Sequence, residues 1–206
     1  MRAVHGAPGG PAPRFPRSAP RLCGRAAHAP GRVAAFPSRP LAAGTERLAV
    51  AGPRIWVDAD ACPRPVRDVV CRAAERRQVP TIFVAASPLN LPRGRFVSAR
   101  TVAAGFDAAD DAIVEEVAAG DVVVTQDILL AQRLVEKGAR VTNPRGEIYN
   151  AENIGARVSQ RNFMEEARGA GLAGGGPPPF DDRDKQAFSN SFDRLLTAAL
   201  RAVGPR

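Results

Sequence analysis

The sequence predicts an α/β protein with a three-layer, mostly parallel sheet and an amphipathic helix at its C-terminal end. Three observations carry this. Between residues 54 and 168, short β-branched runs alternate with segments of helical period, and such alternation implies parallel strands joined by crossover helices. The first run, Ile55-Trp56-Val57, reads as a buried strand that breaks directly into Asp58-Ala59-Asp60. Near the other end, Phe188, Phe192, Leu195, Leu196 and Ala199 fall on one stripe of a helix spanning residues 181–202.

In chain order, residues 1–53 come first. They hold eight Arg and one Glu among Ala, Pro and Gly, with no hydrophobic period, so this stretch is expected to stay disordered. It also accounts for most of the formal net charge of +8 on the 206-residue chain, leaving residues 54–206 at about +1. The overall charge therefore says little about the partners of the folded body. The three cysteines show no C-x-x-C spacing, which excludes a disulfide framework and a zinc finger. No apolar run approaches the length of a membrane span. A cytoplasmic protein with reduced thiols and no membrane partner is the resulting expectation.

After the acids, Pro63 and Pro65 mark the first turn of a helix in which Val66, Val69, Val70, Ala73 and Ala74 share a face and Arg67, Arg72 and Arg76 lie on the other. Residues 81–85 form a second buried strand, residues 87–94 a Pro-containing loop, and residues 96–101 a short strand. Helices are expected over residues 107–119 and 127–137, strands over 122–125 and 140–142, and a further helix over 153–168. Gly138 stops the second of these helices. Residues 169–180 form a Gly/Pro linker ahead of the last helix, residues 181–206.

Four carboxylates stand out. Asp58 and Asp60 share a side if the extended conformation persists past the strand, and two like charges so placed repel unless a cation or a proton intervenes. Asp110 lies on the stripe of Ile113, Val114 and Val117, whereas Asp111 is rotated by about 100°. Asp127 bears the same relation to Leu130, Ala131 and Leu134. Asp60, Asp110 and Asp127 also suit a helix N-cap, where a carboxylate meets free N–H groups and the positive end of the dipole, and Asp58 suits a solvated strand end. If Asp58, Asp110 and Asp127 converge in one crevice, they call for a hard cation, Mg²⁺ or Mn²⁺.

The motifs Asp58-Ala59-Asp60-Ala61-Cys62-Pro63, Gly105-Phe106-Asp107-Ala108-Ala109-Asp110, residues 120–128 (GDVVVTQDI), Pro144-Arg145-Gly146-Glu147 and Gly175-Gly176-Pro177 resemble, in this order, the bacterial YaiI/YqxD family. The resemblance runs from about Arg54 to Leu196. That family's pattern is in turn similar to PIN-like nuclease domains, in which carboxylates after the first strand, on a central helix and after a T-x-D step bind divalent metal. Asp58, Asp110 and Asp127 match those places as the implied catalytic residues, and Asp60 joins them as an implied metal ligand. The resemblance thus implies a PIN-like fold, metal-dependent phosphodiester hydrolysis and RNA or another phosphate-containing substrate.

Two other readings stay open. Asp58-x-Asp60 after a strand also resembles haloacid-dehalogenase-type phosphatases, with Asp58 as nucleophile and Asp60 as general acid, but Lys137 and Lys185 are the only lysines. A non-catalytic nucleotide-, RNA- or protein-binding module would need the acids only as caps. Cys62 reads as a packing residue, because His5 and His28 both lie in the extension and no histidine remains in the body to activate a thiol. Arg157 and Arg161 read as an exposed charged face.

Overall fold

The computed structural model describes residues 52–102, 108–172, 175–176 and 178–204. The expected disordered extension, apart from Gly52 and Pro53, lies outside these residues, as do Gly105, Phe106, Asp107 and Pro177 of the quoted motifs. Among the described residues, six strands form one sheet in the order β3-β2-β1-β4-β5-β6. They are β1 (Ile55–Asp58), β2 (Thr81–Ala85), β3 (Val97–Thr101), β4 (Val122–Val124), β5 (Arg140–Thr142) and β6 (Ile148–Tyr149). β1 to β5 are parallel, and β6 alone pairs antiparallel, on β5. The chain winds outward from β1 to β2 and β3, then returns to the other side of β1 to lay down β4 and β5. The reversal opens a crevice at the C-terminal ends of β1 and β4, the place where open parallel sheets bind ligands.

Among the described residues, five helices cover the sheet: α1 (Arg64–Arg77), α2 (Ala108–Glu116), α3 (Ile128–Glu136), α4 (Ile154–Gly169) and α5 (Asp182–Ala202). Strand alternation divides the core in two. Ile55, Val57, Phe83, Val122 and Val124 face α1 and α5, while Trp56, Val84, Val123 and Val141 face α2, α3 and α4. The three-layer α/β architecture follows.

The expected stripe of α5 is buried in full, and Phe188 stacks on Phe192 with ring centroids 5.3 Å apart. Burying such side chains stabilises by about 1.5–3 kcal/mol each, so α5 contributes on the scale of a domain's whole stability margin. It is a wall of the core. Its N-terminus is fixed by a capping box in which Asp181 accepts from the Asp184 N–H and the Asp184 carboxylate accepts from the Asp181 N–H. α1 starts with Pro63 as its cap and proline in its first turn, as the sequence indicates. α2 ends earlier than its periodicity implies, because the Asp121 carboxylate accepts the Ala118 N–H and turns the chain toward β4. β6, only two residues long, falls below any readable period.

Candidate functional site

Asp58 ends β1 and is 7% exposed, on the face of the sheet that carries Trp56. Directly across the crevice, the Thr125 hydroxyl just past β4 donates to Asp58 Oδ2 at 2.9 Å and accepts the Asp127 backbone N–H at 3.0 Å. A single hydroxyl thus ties the buried carboxylate to the start of α3. The crevice is braced a second time where Gln126 Nε2 donates to the Ala61 carbonyl at 2.8 Å. Asp60, exposed in the β1–α1 turn, accepts the Ala86 N–H on Oδ2 at 2.7 Å and so pins that turn to the end of β2.

Asp127 is the N-cap of α3: its Oδ1 accepts from the N–H groups of Leu129 at 2.7 Å and Leu130 at 3.1 Å. Its phase had suggested an inward side chain, but Asp127 is exposed, because a cap residue adopts extended backbone and leaves the helical stripe. Both cap bonds fall on Oδ1. Asp110 is partly buried in the first turn of α2, while Asp111 is exposed and pairs with Arg133 of α3 at 2.8 Å, in keeping with the phase read from the sequence. Among the described residues, no three His, Cys, Asp or Glu side chains are grouped closely enough to hold one ion between them.

Burial pushes the Asp58 carboxyl above its ordinary value; the Thr125 hydroxyl pulls it down, and the charges of Asp60 and Asp127 push it up again. Folding therefore shifts Asp58 toward its neutral form relative to the unfolded chain. A carboxyl raised in this way contributes stability that is full below its unfolded value and is lost as pH rises through the folded one. At neutral pH, ionised Asp58 costs stability. Asp58→Asn keeps the shape and an acceptor for Thr125, so without metal it should raise stability at pH 7 by about 0.5–2 kcal/mol, the scale of one stabilising substitution. The gain should shrink toward pH 4. Thermal unfolding in EDTA across this range checks it, and a variant less stable than wild type at pH 7 would refute the burial argument.

Other candidates resolve into structural roles. The Cys62 thiol is buried and pushed up to about 12, first by burial, so it packs and does not attack. Arg157 pairs with Glu147, and Arg161 with Glu165 one turn along α4. Lys137 donates to the Val114 carbonyl, away from the crevice. The sequence marks Thr125 and Gln126 only as members of the T-x-D step and gives neither side chain the role it has here.

A family model described as "Uncharacterized BCR, YaiI/YqxD family" matches residues 56–198. The chain belongs to the YaiI/YqxD family. Its matched span holds the whole sheet beyond Ile55 and most of α5, so the YaiI/YqxD unit includes that helix. Curated relatives agree. The chain is 51% identical over 147 residues to a UPF0178 protein of Marinobacter nauticus, covering 71% of this chain and 98% of the relative. It is 52% identical over 143 residues to a UPF0178 protein of Dechloromonas aromatica, covering 69% and 95%. A UPF0178 protein of Myxococcus xanthus is 49% identical over 148 residues, covering 72% and 97%. No solved structure matches the chain.

Proposed function

We propose that this YaiI/YqxD protein is a PIN-like, divalent-metal-dependent phosphodiesterase acting on nucleic acid, with RNA as the leading substrate. One observation carries the reading: a nearly buried carboxylate, Asp58, lies at the topological switch point with the like charges of Asp60 and Asp127 close enough to raise its pKa. Such a cluster is costly without a counter-charge. The donor set fits Mg²⁺ or Mn²⁺. Mg²⁺ commonly takes only one or two carboxylates and completes its shell with water and substrate phosphate, so a group of three converging ligands is not required. Asp58 and Asp127 would hold the ion, with Asp60 beside them; Asp110, on α2, would join only as a further ligand.

When bound, a divalent ion supplies Lewis-acid polarisation of a phosphoryl oxygen and an activated water. The chain's own residues supply position. Thr125 fixes the Asp58 carboxylate by its hydroxyl, and the cap bonds to Oδ1 of Asp127 hold that side chain while Oδ2 remains for a ligand. Asp60 and Gln126 lock the two turns that flank the crevice.

Asp127→Asn tests this cleanly, because Asn caps a helix about as well as Asp and the fold should persist. Wild-type protein should gain melting temperature with Mn²⁺ or Mg²⁺, in step with preferential binding to the folded state. Asp127→Asn should lose most of that gain and its hydrolysis of single-stranded RNA. Asp110→Asn should weaken the metal response more than Asp111→Asn, whose carboxylate faces Arg133. An unchanged metal response in Asp127→Asn would remove it from the site and favour the reading of the crevice as a metal-free binding module.

A further inference from the structure

The loop after β2 stands off from α1, and the space between them forms two adjoining cavities of about 410 and 340 Å³ that share Asp68 and Pro92. The larger begins at Arg64, the first residue of α1 and four residues beyond Asp60 in the chain. Its wall carries Arg64, Arg67 and the amide of Asn90, with Asp68 as the one carboxylate. Arg67 Nε is buried there and has no hydrogen-bond partner among the described residues. A buried donor left in that state is uncommon, and among the described residues Arg140 Nε at the start of β5 shares it, so the cavity and its arginines carry the argument with it. The smaller cavity continues along α1 with Arg72 and, from the loop, Arg93; its second acid, Glu75, is partly engaged by the Phe96 N–H. Although the body is nearly neutral overall, four arginines meet only two acids here.

We propose that this cleft binds a backbone phosphate of single-stranded nucleic acid, with Arg67 and Arg64 as the anion-binding pair. This rests on the proposed phosphodiesterase reading and names where its substrate lies. Arginine suits the task because its fork of N–H donors matches phosphate oxygens, and Arg67 offers a donor that no described group uses. Asp60 takes the first N–H after β2, so the loop wall of the cleft and the acidic turn are held together. A strand seated on Arg64 and Arg67 would lie against the first turns of α1, the helix that follows the Asp58/Asp60 turn in the chain. Asp68 disfavours multiply charged small anions and is tolerable to a singly charged phosphodiester.

The test uses the full chain in EDTA, so that metal binding plays no part. The Arg67 Nε–Hε NMR signal, assigned by its disappearance in Arg67→Lys, should shift when a single-stranded RNA decamer is added at micromolar concentration. Inorganic phosphate should move it only at far higher concentration. By fluorescence anisotropy, Arg64→Gln with Arg67→Gln should bind the decamer more than tenfold more weakly, and the salt slope should fall by about 0.7 for each phosphate that is no longer neutralised. Arg161→Gln, on α4, should bind as wild type. An Arg67 signal unmoved at saturating RNA overturns the inference, as does one that responds equally to inorganic phosphate. Because no metal is present, these outcomes are separate from failure of the metal site, which would appear as a missing Mn²⁺ response with the cleft still occupied.

Discussion

Asp121→Ala is expected to destabilise the fold by about 2–4 kcal/mol, because removing this buried carboxylate leaves buried donors unsatisfied at about 1–3 kcal/mol each. Asp121 is 3% exposed at the foot of β4, the opposite end of the sheet from the crevice. Its two oxygens accept from the Arg54 backbone N–H at 2.9 Å, Arg54 Nη2 at 3.2 Å, Trp56 Nε1 at 3.0 Å and the Ala118 N–H at 3.1 Å. The carboxylate thereby joins the start of β1, the core tryptophan and the turn after α2. Alanine would leave the indole N–H of Trp56, itself 1% exposed, buried without an acceptor, and the Arg54 guanidinium without its counter-charge. Arg54 would keep its stacking on the Trp56 ring, so the fold weakens but is not abolished. Asp121→Asn should cost less, since its carbonyl oxygen can still accept part of this set. Urea unfolding at neutral pH measures both. A loss under about 1 kcal/mol for the alanine variant would mean that water replaces the carboxylate, and the bonding argument would fail.

Asp121 also marks the limit of what the sequence discloses. The strand and helix order was legible because each element has its own period, and Asp58 was legible because an acid ends an apolar run. The acids' surroundings were not. Asp121 precedes a strand much as Asp58 ends one, and only the fold shows that Asp121 is saturated by four donors while Asp58 sits among like charges. Helical phase correctly set Asp110 further in than Asp111, because both lie inside α2. It misjudged Asp127, because a residue one step before the helix does not obey the helix's angle. The arginine cleft was hidden by net charge, an average that masks the concentration of Arg64, Arg67, Arg72 and Arg93 between one helix and one loop.

Gly146→Ala is the second large effect, and it acts through α5. The turn from β5 to β6 is built on Asn143, whose Oδ1 accepts from the N–H groups of Arg145 at 2.9 Å and Glu147 at 3.0 Å. This turn carries Gly146 at a φ of +87°, where an L side chain is strained. It also presses the glycine against the docked helix: a Cβ at residue 146 would lie 2.5 Å from the carbonyl carbon of Ala187 and 2.7 Å from the Phe188 nitrogen. These are backbone atoms and cannot rotate away. The neighbouring Arg145 holds the same helix through Asp184, and the segment ahead of it through the Pro178 carbonyl, so turn and helix cannot separate without breaking that ion pair. Alanine must therefore force α5 outward and loosen Phe188 and Phe192 in the core. Backbone strain of about 1–2 kcal/mol and overpacking of about 1–3 kcal/mol together predict a loss of about 2–5 kcal/mol. For a domain of this size that is a fall of roughly 5–15 °C in melting temperature. Gly155→Ala in α4 supplies the opposite sign: nothing lies within 4 Å of its Cβ position, and alanine in a helix is favoured over glycine by about 1 kcal/mol. Calorimetry should therefore show one glycine-to-alanine change lowering the melting temperature and the other raising it. If Gly146→Ala melts as wild type does, the turn and helix are less tightly apposed than these distances require, and α5 is not clamped by this turn.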